Sequence, residues 1–328
     1  MGEFHVIFGA GPVGAATARV LLDSGAKVRL ASRSGSRPKA FVNTLGPGEE
    51  SRIEFVRADA ADTAAASAAT EGATHVYDCV NLPYQQWYKD LLPIRSSLIE
   101  AAMRHSATLA AAENLYTFSR GLESIDEDSP EDPPTRKGRL QAARHALLVD
   151  AGRKHGLAWT AVRASDFYGP GATSQSVFGT DRFLDPMVAG KAAMVFGDPD
   201  LPHSYTYVGD YGKALAIAAS RPEARGRSWI VPNDRTTSTR ELAATFFAAA
   251  GMPLNLFVLP EAAIAALGLF DPLVREFREM LYQKKEPYRI DGSRFRATFG
   301  LEATPVSVGV RQTLEWQAAT RVAGSGRS

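Results

Sequence analysis

The stretch HVIFGAGPVG, residues 5–14, decides the fold. Phe4–Phe8 is a short apolar run that stops at glycine, the pattern of a strand buried on both faces of a parallel sheet. Gly9, Gly11 and Gly14 follow with Gly-x-Gly-x-x-Gly spacing. Val13–Leu22 then has helical spacing, and Gly25 is placed to end that helix. Gly9 permits a tight turn, Gly11 lets a pyrophosphate approach the backbone, and Gly14 lets helix and strand pack closely. The helix N-terminus favours the negative charge. The spacing alone is a weak signal, but between a strand and a helix it is the dinucleotide fingerprint. Gly9, Gly11, Pro12, Val13 and Gly14 are therefore the expected cofactor loop. The alternative is a structural glycine turn.

Beyond the loop the same alternation repeats. Lys27–Ala31, Ile53–Arg57, His75–Val80, Ala107–Ala112 and Ala158–Arg163 read as strands. Leu91–His105 and Gly138–His155 read as long helices. Strands alternating with helices predict an α/β fold, a Rossmann-type doubly wound parallel sheet. After Arg163 the alternation loosens into a Gly- and Pro-rich stretch, Phe167–Ser204, with one helix near Arg182–Ala189. Asp210–Ser220 reads as helix and Ser228–Val231 as a strand rejoining the sheet. Ser238-Thr-Arg-Glu241 is a capping box that starts a further helix. Leu256–Leu259 reads as a strand, with helices over Glu261–Leu267 and Pro272–Gln283. The expected organisation is a dinucleotide-binding domain over residues 1–166, rejoined by 205–232. Residues 167–204 and 233–321 form a smaller C-terminal substrate-binding region, and 322–328 a disordered tail. Glu123–Pro134 carries six acidic residues and three prolines. It reads as a solvated acidic loop or as a mobile flap.

Composition excludes several classes. The 328 residues are 45% hydrophobic and 22% charged, as in an ordinary globular protein. A net charge of +1 gives no reason to expect nucleic acid or an anionic membrane as partner. No apolar run is long enough to cross a bilayer. The single cysteine, Cys79, forms no intrachain disulfide, supplies no metal-site spacing and reads as a buried, inert hydrophobe. The N-terminus enters a strand directly, so no signal peptide is expected and the location reads as cytoplasmic. The expected partner is a small-molecule substrate.

The residues after the second strand choose the cofactor. An acid there would bind the ribose 2′-hydroxyl. This chain instead has Ser32 and Arg33, with Arg37 and Lys39 beyond. Arg33 can pair with a phosphate and stack on adenine, which predicts NADP(H) in preference to NAD(H). The alternative is a solvated surface arginine. Asp59 is the expected partner of the adenine amino group, or else a helix N-cap.

GAGPVG at 9–14, RASDFYGPG at 163–171 and HSYTYVGDYGKAL at 203–215, with the capped helix beyond, resemble the extended short-chain dehydrogenase/reductase family, its NAD-dependent epimerase/dehydratase group. The resemblance covers most of the chain. It implies a Tyr-x-x-x-Lys pair, yet none of the ten tyrosines has a lysine four residues downstream. Laid on the family pattern, Asn114 stands at the Ser/Thr position, Lys137 at the tyrosine and Gln141 at the lysine. In such enzymes the tyrosine gives a proton to the developing alkoxide while the lysine lowers its pKa and holds the ribose. Tyr116 and Lys137 are the candidate replacements for the proton donor. Asn114 is a candidate to polarise a carbonyl, and Gln141 to hold a ribose hydroxyl. Tyr84 and Trp87 are expected to wall the substrate pocket, or to be core aromatics. Ala164 and Ser165 are expected beside the nicotinamide and Tyr168 near the substrate, with Asp166 a second acid–base candidate. His203 and Tyr207 are expected to face the substrate. The reading that follows is an NADP(H)-dependent reductase of a carbonyl or conjugated small molecule with a non-standard proton donor. The alternatives are a redox-neutral epimerase, dehydratase or lyase retaining the cofactor, and a non-enzymatic redox sensor. The family resemblance also implies a homodimer through the two long helices.

Overall fold

The computed structural model describes residues 3–172, 176–270 and 272–325. The expected disordered tail is helical over 322–325, at the end of the helix Val306–Ser325, and residues 326–328 lie outside the described ones. The chain forms two compact units. The first comprises Met1–Phe118, Glu131–Ala164 and Tyr211–Val231; the second comprises Ser119–Pro130, Ser165–Asp210 and Pro232–Ser328.

The first unit is built on strands β1 (Phe4–Phe8), β2 (Lys27–Ser32), β3 (Ile53–Arg57), β4 (His75–Asp78), β5 (Thr108–Asn114) and β6 (Trp159–Ala164). A seventh strand is Arg227–Ile230. Spatial order is β3-β2-β1-β4-β5-β6 followed by Arg227–Ile230, with every pairing parallel. Helices α1 (Pro12–Asp23), α2 (Lys39–Val42), α3 (Thr63–Thr70), α4 (Tyr84–Arg104) and α5 (Arg136–His155) join the strands in sequence. The predicted doubly wound sheet is therefore present. Strand order reverses between β1 and β4, and open α/β sheets bind ligands beyond the carboxyl ends of strands at such a reversal.

Some boundaries differ from the sequence reading. β4 stops at Asp78 rather than Val80, because Val80 N turns back to donate to Asp78 Oδ1 at 3.3 Å. α4 begins at Tyr84, seven residues before the expected Leu91. Its buried Trp87, Leu91, Ile94 and Leu98 recur every three or four residues, so the helical face extends back past Leu91. α5 is closed by Gly156 at φ 72°, the left-handed cap that its spacing predicts.

The second unit pairs short strands in twos. Thr206–Tyr207 lies parallel to Phe167–Tyr168, and Leu256–Leu259 parallel to Ala193–Phe196. Thr236–Ser238 lies antiparallel to Pro202–Ser204. The capping box forms as predicted: Glu241 N donates to Ser238 Oγ at 3.1 Å and Ser238 N to Glu241 Oε2 at 3.0 Å. Phe178, Phe183 and Phe246 make an aromatic core, with Phe178 and Phe246 stacked at 5.5 Å. The helix expected over Pro272–Gln283 ends at Arg278, and a separate 3₁₀ turn covers Leu281–Lys284. In the acidic segment, Asp128 and Glu127 pair with Arg294 and Ile125 bridges Ile290.

Candidate functional site

The cofactor loop stands at the carboxyl end of β1. Gly9 has φ +105°, and a Cβ there would strike the Cys79 backbone at the end of β4. A Cβ on Gly14 would strike the Gly9 carbonyl. Both glycines are thus required by the protein's own packing. Gly11 is different: a Cβ there would meet no atom within 4 Å. Its bare backbone opens outward at the N-terminus of α1, where no side chain caps the first turn and Pro12 occupies the first helical positions. Unsatisfied amides beside an unobstructed backbone fit a diphosphate.

Beyond β2, Arg33 is exposed and Arg37 lies 5.0 Å over the Phe55 ring. The side chain of Lys39 lies outside the described residues. Between these bases, the Ser34 hydroxyl donates to Ser36 Oγ at 2.7 Å, and Ser32 Oγ is 3.5 Å from Ser34 Oγ. Asp59 is exposed and accepts from Ala61 N at 3.0 Å, while Asp62, not Asp59, caps α3.

Four of the expected active-site residues meet in the first unit. The Tyr84 and Tyr116 hydroxyls are 2.9 Å apart. Trp87 packs edge-on against Tyr84 at 4.8 Å and stacks with Tyr116 at 6.1 Å. Lys137 Nζ lies 5.1 Å from the centre of the Tyr84 ring and 5.9 Å from that of Tyr88. Lys137 is fully buried, so it is not a solvated lysine, while Tyr84 and Tyr116 are half-buried. The backbone explains the meeting. Asn114 Oδ1 accepts from Tyr116 N at 3.1 Å, turning the chain after β5. Thr135 caps α5, with Gly138 N donating to its Oγ1 at 2.9 Å. Gly138 in turn has no room for a side chain against the Tyr116 carbonyl and Pro133. Lys137, Gln141 and Arg144 recur at i, i+4 and i+7, so all three lie on the buried face of α5.

Sequence reasoning missed what lies behind this cluster. Arg95 Nε donates to Asp78 Oδ2 at 2.9 Å and its Nη1 to Glu113 Oε1 at 3.0 Å. Arg144 Nη2 donates to Asp78 Oδ2 at 2.7 Å. Arg163 reaches both Glu113 and Glu131, and His145 Nδ1 lies 2.9 Å from Glu113 Oε2. Burial works to raise the Asp78 carboxyl, but Arg144 and Arg95 outweigh it and hold it below the usual carboxylate range. Burial likewise opposes ionisation of Glu113, and His145, Arg95 and Arg163 overcome it. The available signal was an acid or base inside an otherwise apolar strand: Asp78, Glu113 and Arg163 each need a buried partner.

In the second unit, Lys284 Nζ donates to Tyr205 Oη at 3.1 Å, lies 3.2 Å from His203 Nε2, and pairs with Asp166 Oδ2 at 2.7 Å. Tyr205 Oη is 2.6 Å from Thr239 Oγ1. Burial and the Lys284 charge push the His203 imidazole down to about 4, against the pull of Asp166 and the Gln283 carbonyl. His203 is thus a neutral buried histidine whose partner, Lys284, was not singled out from sequence. Tyr168 is buried in the aromatic core, against Tyr207 at 5.6 Å and Phe246 at 6.1 Å. Tyr207 Oη donates to Gln312 Oε1 at 2.5 Å. Ala164 and Ser165 are both buried.

With that geometry in hand, residues 6–231 match the model of the NAD dependent epimerase/dehydratase family. The chain belongs to this family. Solved structures give the same architecture. UDP-glucuronic acid 4-epimerase from Bacillus cereus, in complex with NAD, is similar at TM-score 0.78 and 16% identity, covering 97% of this chain and 99% of that one. dTDP-glucose 4,6-dehydratase from Bacillus anthracis, in complex with NAD, is similar at 0.77 and 13%, covering 98% of each chain. UDP-glucose 4-epimerase from Thermus thermophilus, also with NAD, is similar at 0.73 and 19%, covering 97% of this chain and all of that one. At such identities the likeness is one of fold. No functionally curated protein matches the chain.

These findings overturn the NADP(H)-dependent reductase expectation. The family is described as NAD dependent, and all three similar structures hold NAD. Beyond β2, Arg33 is exposed, and its place along the chain does not by itself choose between the two nucleotides. Among the described residues no helix is long and apolar enough to cross a membrane.

Proposed function

We propose that this chain is an NAD-linked, redox-neutral epimerase, dehydratase or related lyase acting on a small hydroxylated substrate, of which a nucleotide sugar is the first to test. The family match over residues 6–231 carries this reading. Gly9, Gly11, Pro12, Val13 and Gly14 would hold the diphosphate of the cofactor on the α1 N-terminus. Bound there, NAD would supply reversible hydride acceptance from a substrate carbon, with no net redox change over a turnover.

The protein's own task is to move the hydroxyl proton. Tyr116 is the acid–base group in this reading: it would take that proton as the carbonyl forms and give it back as the carbonyl is reduced. Tyr84, hydrogen-bonded to it at 2.9 Å, would relay the proton, and the buried Lys137 Nζ lies 5.1 Å from the centre of the Tyr84 ring. A tyrosine pair with a lysine on a different element would then do what Tyr-x-x-x-Lys does within one helical turn. Gln141, on the Lys137 face of α5, would hydrogen-bond the ribose, and Trp87 would wall the site.

The test begins with the bound nucleotide released from purified protein, which is expected to be NAD. The protein is then incubated with UDP-glucose, UDP-glucuronic acid and dTDP-glucose. Conversion without net formation of NADH, reduced at least about 100-fold by Tyr116→Phe, is expected for a lost general acid–base group. Stoichiometric consumption of a reduced cofactor, or full turnover by Tyr116→Phe, would reject the reading.

A further inference from the structure

The carboxyl ends of β1 and β4 carry the cofactor loop; their opposite ends hold a different group. His5 and His75 are register partners on these neighbouring strands, and both are buried. Their imidazoles lie 4.7 Å apart, 12° from parallel. Glu3, exposed at the foot of β1, places Oε2 3.6 Å from His5 Nε2. One ligand atom from each of Glu3, His5 and His75 lies within 4.8 Å of the other two.

The inner hydrogen bonds decide which nitrogens are offered. The Thr74 hydroxyl donates to the Phe4 carbonyl at 3.0 Å, so toward His75 Nδ1, 2.9 Å away, it acts as acceptor. The tautomer that satisfies this contact carries its proton on Nδ1 and offers a lone pair on Nε2. His5 Nδ1 lies 3.0 Å from the buried Tyr77 hydroxyl, which can accept from it in the same way. Among the described residues, His5 Nε2 is buried with no hydrogen-bond partner. Imidazoles that donate outward from one nitrogen while the other stays bare are in the form that ligates metals. A buried polar atom left unmatched is otherwise costly.

We propose that Glu3, His5 and His75 bind one divalent cation of the borderline class, such as Zn2+, through two imidazole nitrogens and one carboxylate oxygen, with water completing the shell. Imidazole selects such ions over Mg2+ and Ca2+. Ligand atoms on a tetrahedral Zn2+ stand about 3.4 Å apart. Glu3 and His5 are already near that spacing, and the two rings close on the ion by tilting about their Nδ1 anchors. The ion would tie the first residues of β1 to β4, far along both strands from Gly9 and Cys79. Its effect is therefore on stability rather than on the reaction.

The full chain, stripped with a chelator, is titrated with Co2+ by visible absorption and with Zn2+ by calorimetry. One ion per chain is expected, with Co2+ bands that Zn2+ displaces and a rise in Tm that Mg2+ does not produce. Glu3→Gln, at an exposed position, should leave the metal-free Tm unchanged and weaken Zn2+ binding roughly tenfold. His75→Gln should abolish it. Because His75→Gln sits in a buried strand and risks unfolding, nitrogen NMR of the unaltered protein gives the independent reading: of six histidines, only two should shift at Nε2 on Zn2+ addition. Absent Co2+ bands, undiminished binding in Glu3→Gln, or shifts confined to other histidines would overturn the site.

Discussion

At the scale of single residues, two glycines of one loop serve different masters. Gly14 is held to glycine by the Gly9 carbonyl, whereas Gly11 faces open space. Gly14→Ala should therefore lower stability by about 1–3 kcal/mol, as overpacking does, seen as a lower Tm without ligand. Gly11→Ala should leave that Tm unchanged and weaken NAD binding about tenfold or more, or about 1.4 kcal/mol. Equal effects of the two substitutions on both measurements would contradict the assignment. His203 makes a pH prediction. Its folded pKa of about 4 lies below the ordinary 6.5, so between those values the unfolded chain binds a proton that the folded chain does not. Stability must then fall as pH drops from 6.5 to 4, with His203 contributing a loss of about 3 kcal/mol. Urea unfolding at both pH values should show the loss in the wild type, and a smaller one in His203→Asn.

At the scale of elements, the first turn of α5 and the turn after β5 form the candidate acid–base cluster, and they are fastened from behind by charges. Arg95 on α4 joins Asp78 on β4 to Glu113 on β5. Removing one member of a buried ionic group leaves its partners uncompensated, at a cost of about 3–5 kcal/mol. Arg95→Met should lower the urea midpoint accordingly with an unchanged m-value, and a loss under 1 kcal/mol would mean that the group is not load-sharing. The elements also show what was legible in sequence. The strands of the sheet were readable because each is a short apolar run ending at a turn signal. The start of α4 was not, because Pro83 stands directly before it and its first turn, Tyr84–Trp87, offers one buried residue only. The Tyr84–Tyr116 contact joins residues 32 apart, and Asp166–Lys284 joins two segments of the second unit. Neither has a local spacing that a linear reading could detect. NADP(H) failed for a related reason: a basic residue in the right place along the chain says nothing about whether its side chain is built into a site.

At the scale of the whole molecule, a ligand that binds only the folded chain stabilises it by an amount that grows with the logarithm of its concentration over its dissociation constant. NAD at 100 times its dissociation constant should add about 2.7 kcal/mol, and the same concentration of NADP should add less. A larger shift with NADP would return the cofactor question to Arg33. The fold-level likeness to the epimerases and the dehydratase extends over nearly the full length of this chain, while the sequence carries no Tyr-x-x-x-Lys pair. That separation is expected where function resides in a site placed on a widely used architecture.

The buried charges beneath the sheet also constrain ancestry. Asp78 pairs with Arg95 and Arg144, and Glu113 with Arg95 and Arg163, so partners are shared, and removing Asp78 leaves Arg144 without its carboxylate. Such a set resists stepwise drift. A descendant of this chain that has exchanged Asp78 should be found to have exchanged Arg144 as well.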